Sequence, residues 1–154
     1  MPSLLDLHRA VQEASKSYFQ LVLVVGPRKA GKTVLMREYS EESGLELINV
    51  NLYAASRLLD LNKRQRQTHV TNILSELTNG PDAPVLLDNT ELLFDRSLAI
   101  DPLRMFYQAS RNKPVVATWS GNFMDDRLTY ASPSHVEYTS YDQIDAVILN
   151  LEVV

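Results

Sequence analysis

The stretch Gly26-Pro27-Arg28-Lys29-Ala30-Gly31-Lys32-Thr33 constrains this chain more than any other, because it fits G-x-x-x-x-G-K-[ST] in full. Before it stands Leu21–Val25, a short apolar run that reads as a strand buried on both faces. After it a helical pattern opens at Gly31 and stops at Gly44. Glycines permit a tight turn whose N–H groups converge on phosphate oxygens, and the helix adds the positive end of its dipole. Lys32 is placed to reach the β- and γ-phosphates, and the Thr33 hydroxyl to ligate Mg²⁺. The expected nucleotide-binding set is Gly26 through Thr33 together with Val34.

The remaining elements follow from periodicity. Ser3 and Asp6 open a helix whose Leu4, Leu7, Val11, Ala14 and Tyr18 recur at helical spacing. Leu45–Leu52 alternates loosely as a second strand, Val70, Ile73, Leu74 and Leu77 mark a helix, and Pro84–Leu87 is a third strand. Asp101 and Pro102 cap a helix carrying Leu103, Phe106 and Tyr107. Val115–Thr118 is a fourth strand and His135–Tyr138 a fifth. Ser140 and Gln143 form a capping-box pattern before Ile144, Val147, Ile148 and Leu151, which predicts a final helix. Val153 and Val154 are expected to dock on the domain's own sheet or on a partner. Such alternation predicts an α/β domain with a mainly parallel sheet, and 154 residues fit one domain spanning 1–154.

Composition narrows the chemistry. The absence of cysteine excludes disulfides, thiolate metal sites and thiol catalysis. Fifteen Lys and Arg against nineteen Asp and Glu give a net charge of −4, so no global basic field favours nucleic acid. No apolar run approaches the ~18 residues that span a bilayer, and no basic-then-apolar leader opens the chain, so a cytoplasmic location without membrane contact is expected. His8, His69 and His135 lack metal-ligand spacing.

A phosphate site of this kind needs an acid at the end of another buried strand. Asp88, after Val85-Leu86-Leu87, supplies it and is expected to hold Mg²⁺ with Thr33. Between Lys32 and Asp88 there is room for a helix, a strand and a second helix. This order resembles the additional-strand group of P-loop NTPases. The resemblance implies a three-layer core with a five-stranded, mainly parallel sheet in the order 5-1-4-3-2, binding ATP and Mg²⁺. The chain is unlike GTPases, since Asn89-Thr90-Glu91 follows Asp88 in place of Asp-x-x-Gly. It is unlike small-metabolite kinases, which add a loop glycine and an arginine-rich lid.

AAA-type ATPases, which the chain also resembles, place a water-polarising glutamate directly after the metal-binding aspartate. Here that residue is Asn89, which positions water but accepts no proton. Glu91 is the nearest substitute carboxylate, or simply the start of the next helix. Slow intrinsic turnover is therefore expected. The same resemblance asks for a polar γ-phosphate sensor near the end of the fourth strand. Asn122 and Ser120 are the candidates, with Thr118 behind them, although Ser-Gly-Asn is also ordinary turn chemistry. Trp119 reads as packing. Arg127 is the candidate for an arginine reaching a neighbouring subunit's nucleotide, with Arg111 and Arg104 competing and surface ion pairing the plain alternative. No C-terminal helical lid is expected after the fifth strand. Lys63-Arg64-Gln65-Arg66, next to Arg57, is either a solvated helix face or a contact for DNA phosphates. Tyr130, His135, Tyr138 and Tyr141 either pack at the sheet edge or stack a base.

Four segments carry a narrower resemblance. They are Gly26–Thr33, Leu58-Leu59-Asp60-Leu61 with its basic follow-on, Leu86-Leu87-Asp88-Asn89 with Glu91-Leu92-Leu93-Phe94-Asp95, and Leu128-Thr129-Tyr130-Ala131 leading to His135-Val136-Glu137-Tyr138. Together they resemble the BrxF-type small P-loop proteins of BREX phage-defence systems. That resemblance implies a nucleotide-driven switch or weak ATPase working with other BREX proteins, in a homo-oligomer or on DNA. An idle nucleotide-binding scaffold and a small-molecule phosphotransferase are the competing readings.

Overall fold

A computed structural model describes residues 2–151. Its first helix, α1 (Leu4–Ala14), starts at a capping box in which Ser3 and Asp6 satisfy each other's orphan amides. Leu7, Ala10, Val11 and Ala14 form its buried stripe. Tyr18 lies beyond the helix and is 62% exposed, a correction to the expected stripe. β1 (Leu21–Gly26) is buried along its whole length. α2 (Lys32–Ser43) follows the glycine loop and ends at Gly44, whose φ of 76° is the left-handed cap that glycine adopts without strain.

The second strand is shorter than expected. β2 spans Leu47–Asn49, and at Asn49 the chain turns into α3 (Val50–Leu58). The Asn49 side chain accepts the Leu52 amide at 3.0 Å and caps that helix, so the apolar residues after it continue as helix and not as strand. α4 (Lys63–Thr78), β3 (Val85–Asp88) and α5 (Pro102–Ala109) stand where the pattern puts them. Asp101 caps α5 through the Arg104 amide, with Pro102 in the first turn.

The last third differs from expectation. β4 runs from Val115 to Met124, well past Thr118, and folds back as β5 (Arg127–Tyr130). Residues 135–138 are a turn, not a strand. The segment read as a final helix is two strands, β6 (Thr139–Asp142) and β7 (Val147–Asn150). Ser140 accepts from Arg127 at 2.8 Å and Gln143 has a φ of 52°, so neither caps a helix. Val153 and Val154 lie outside the described residues.

Among the described residues the sheet therefore has seven strands and not five. Its parallel path is β2-β3-β4-β1-β7, and the β4–β5–β6 meander leaves it antiparallel. Numbering only the parallel strands along the chain gives 5-1-4-3-2, with β7 in fifth place. Alternate β1 residues face opposite layers. Leu21, Leu23 and Val25 pack in the core under α3, α4 and α5, while Val22 and Val24 pack under α1 and α2. Helices thus cover both faces, as buried parallel strands require. No helix among the described residues is long and apolar enough to cross a membrane.

Candidate functional site

The site sits where β1 and β3 end and the parallel pairing of β4 gives way to its hairpin, the edge of an open α/β sheet that commonly holds ligands. A cleft of about 530 Å³ opens there, lined by Arg28, Lys29, Gly31–Val34, Asn51, Asp88, Asn89, Glu91 and Ser120. Most of the expected loop residues line it. Pro27 faces a neighbouring cleft instead, and Ala30 is buried beneath the loop.

The loop's shape explains two of its glycines. Gly31 has a φ of 97°, a conformation that side chains resist. At Gly26 an added Cβ would stand 2.7 Å from the Leu151 carbonyl oxygen and 3.0 Å from the Ala30 Cβ. The Ala30 amide donates to the Pro27 carbonyl at 3.2 Å and closes the turn. Lys32 is only 8% exposed, and its Nζ donates to the carbonyls of Gly26 and Pro27, both at 2.7 Å. Burial holds its pKa below the ordinary 10.5, against the Glu91 and Asp88 carboxylates that pull the other way.

Asp88 is 4% exposed, with both oxygens engaged. Oδ2 accepts from the Thr33 hydroxyl at 2.8 Å, and Oδ1 accepts from the Thr118 hydroxyl at 2.9 Å. Thr90 in turn donates to the Thr118 carbonyl at 2.8 Å. One buried chain of hydrogen bonds therefore ties the start of α2 to the end of β3 and to β4.

Two features fix Glu91. Its Oε1 accepts from Ser120 Oγ at 2.8 Å, and its Oε2 accepts from the Asn51 side-chain amide at 3.1 Å. Asn51 also accepts the Leu92 amide at 2.8 Å, and its own N–H donates to the Asn89 carbonyl at 2.8 Å. Asn89 has a φ of 52°, the left-handed conformation that asparagine tolerates better than most residues. Its backbone turns the chain so that Glu91, two residues on, faces the cleft. Asn51 and Thr90 escaped the sequence reading. Asn51 was hidden inside the supposed second strand, and only the helix-capping character of Asn49 pointed to a turn there.

Ser120 lies in the cleft, Thr118 beneath it on Asp88, and Asn122 beyond it in the neighbouring cleft. Trp119 is fully buried and donates its indole N–H to the Thr129 carbonyl at 3.0 Å, a packing role. Among the described residues the three candidate arginines make contacts away from the phosphate loop of their own chain or stand exposed. Arg127 is exposed and donates to Ser140, Arg104 is exposed on α5, and the Arg111 guanidinium lies 4.7 Å from the Tyr18 ring centre. Arg57 is paired with Glu76 at 3.1 Å, and Arg66 donates to the carbonyls of Leu58 and Leu61. Of the basic run, Lys63 and Arg64 remain as exposed cations.

The donor set on the cleft floor is a hydroxyl and a carboxylate, both hard oxygen ligands suited to Mg²⁺. Among the described residues no three His, Cys, Asp or Glu side chains gather into a metal cage. A Mg²⁺ held by Thr33 and Asp88 would complete its shell with water and phosphate oxygens, and would neutralise phosphate charge. Compared with protein-family models and with curated proteins, the chain finds no match.

Proposed function

We propose that the chain binds ATP with Mg²⁺ as a P-loop NTPase and acts as a slow, nucleotide-driven switch. One observation carries the reading. A lysine buried in a glycine turn stands beside a hydroxyl–carboxylate–hydroxyl chain where β1 and β3 end next to β4. Burying an ammonium against two carbonyls is costly in a protein without an anion, and a triphosphate would give that charge its partner. Slow turnover follows from Glu91, whose two oxygens are already occupied by Ser120 and Asn51. Each of those hydrogen bonds stabilises the carboxylate and makes it a weaker base toward water. The same observation favours an idle scaffold as the second reading.

The resemblance to BrxF-type proteins extends the proposal to a cytoplasmic anti-phage assembly with other BREX proteins. Self-association and DNA contact through Lys63 and Arg64 belong to that extension. The test is ATP turnover measured against protein concentration, with and without duplex DNA, beside Lys32→Ala. Turnover below ~1 s⁻¹ that Lys32→Ala abolishes supports the switch. Turnover rising faster than protein concentration adds a site completed between copies. ATP binding with no turnover under any condition leaves the scaffold. No ATP binding at all overturns the proposal.

A further inference from the structure

A second cleft, of about 580 Å³, adjoins the first and shares Arg28, Glu91 and Ser120 with it. It lies between the β4–β5 hairpin and the turn of residues 131–138. Arg96 fixes that turn by donating to the Val136 and Tyr138 carbonyls. Tyr130, His135 and Tyr138 all line this cleft, whereas Tyr141 lies in a different cavity.

Two polar side chains of this cleft, Tyr130 and Asn122, have no hydrogen-bond partner among the described residues. Tyr130 is only 8% exposed, its ring stacked 3.6 Å from that of Phe94. Its hydroxyl has no hydrogen-bond partner among the described residues, where no fully buried side-chain polar atom is left unpaired. The hydroxyl therefore reaches the open space of the cleft. Glu137, Glu91 and Arg28 act on it electrostatically, and burial holds it protonated, with its pKa raised to about 12. The exposed Asn122 amide likewise has no hydrogen-bond partner among the described residues and offers a donor and an acceptor side by side. His135 Nδ1 accepts the Glu137 amide at 3.0 Å, which leaves Nε2 carrying the proton of the neutral ring.

These features define a ligand. The volume falls in the ~300–1,000 Å³ range of small-molecule sites. The lining holds two carboxylates, Glu91 and Glu137, and one guanidinium, Arg28, so positive charge is not in excess there. Flat apolar walls come from Pro27, Pro133 and Tyr138. The paired donor and acceptor of an asparagine amide complement the N6–N7 edge of adenine. We propose that this cleft binds a purine base, presented beside the terminal phosphate by a molecule other than the nucleotide on the phosphate loop. The base comes from a free nucleoside or nucleotide, or from an unpaired position of a nucleic acid strand. Its position beside a phosphate rests on the ATP reading above, but the base site itself does not.

The test uses the ¹⁵N-labelled full chain saturated with a non-hydrolysable ATP analogue. It is titrated in turn with adenosine, a single-stranded oligo-dA and argininamide. Adenosine is expected to shift the Asn122 side-chain amide and the amides of residues 131–138. Tyr130→Phe, which keeps the stack on Phe94, is expected to weaken adenosine about five-fold, and Asn122→Ala similarly. Oligo-dA displacing adenosine identifies a nucleic acid source, and no displacement a mononucleotide source. Adenosine bound only without the ATP analogue would give the cleft to ATP's own base and overturn the proposal. So would argininamide producing these shifts in place of adenosine, or Tyr130→Phe leaving adenosine affinity unchanged. Adenosine binding in a protein that fails to bind ATP would overturn the phosphate-loop reading and leave the base site standing.

Discussion

Asn89 shows how one backbone angle decides which carboxylate serves the cleft. Its φ of 52° is tolerable for asparagine, and its carbonyl is committed to the Asn51 amide. A glutamate there would meet left-handed strain of about 1–2 kcal/mol, because its longer side chain gives the backbone no local hydrogen bond. Restoring the Asp-Glu pair of fast ATPases therefore does not restore fast hydrolysis. Asn89→Glu is expected to lower the unfolding free energy by about 1 kcal/mol and leave turnover no faster than in the parent chain. Glu91→Gln is expected to lose the residual turnover, because on the ATP reading Asp88 holds the metal and Glu91 is the cleft carboxylate left to accept water's proton. Denaturant unfolding and steady-state turnover on the two variants check this. An Asn89→Glu protein that turns over faster than the parent would move the base to position 89.

The β4–β5 hairpin depends on a single close approach. A Cβ at Gly121 would stand 1.9 Å from the Thr129 carbonyl oxygen and 3.0 Å from the indole nitrogen of the buried Trp119. Gly121→Ala is expected to destabilise the fold by about 2 kcal/mol or more and to spread the hairpin away from Ser120. Calorimetry reads the first effect, and loss of adenosine binding in the second cleft reads the other. This region also marks where the sequence stopped being legible. The strand, glycine turn and helix around Gly26–Thr33, and the strand ending at Asp88, stand where the local pattern puts them. Ile144, Val147, Ile148 and Leu151 match a helical stripe, yet Val147–Asn150 pairs with β1 as a parallel strand. An apolar run buried on both faces fits either period, and only the neighbour across the sheet decides. Asn51 and Thr90 were invisible for a related reason. Their roles come from partners far along the chain, Glu91 and Thr118, which local pattern does not encode.

The whole molecule places its charge cost at the point where a ligand can relieve it. β1 lies between β4 and β7, so the loop after it opens one strand in from the β7 edge with helices on both sides. Lys32 is buried there with its pKa depressed by burial, meaning that folding favours its neutral form. The unfolded chain binds more protons between the folded pKa and 10.5, so stability rises with pH across that window. On the ATP reading, a bound triphosphate would pair the ammonium, raise the Lys32 pKa and remove the rise. At a hundred times its dissociation constant such a ligand adds about 2.7 kcal/mol, which for a chain of this size is roughly 5–11 °C in Tm. Lys32→Ala loses two hydrogen bonds but also a buried charge, so its ligand-free Tm is expected to stay within a few degrees of the parent. Its shift with Mg²⁺-ATP is expected to vanish. Thermal unfolding of both proteins, with and without Mg²⁺-ATP, separates the two contributions. A Lys32→Ala protein that unfolds much earlier without ligand would make the lysine a structural clamp of the loop. One that keeps the full ligand shift would place the nucleotide somewhere other than this loop.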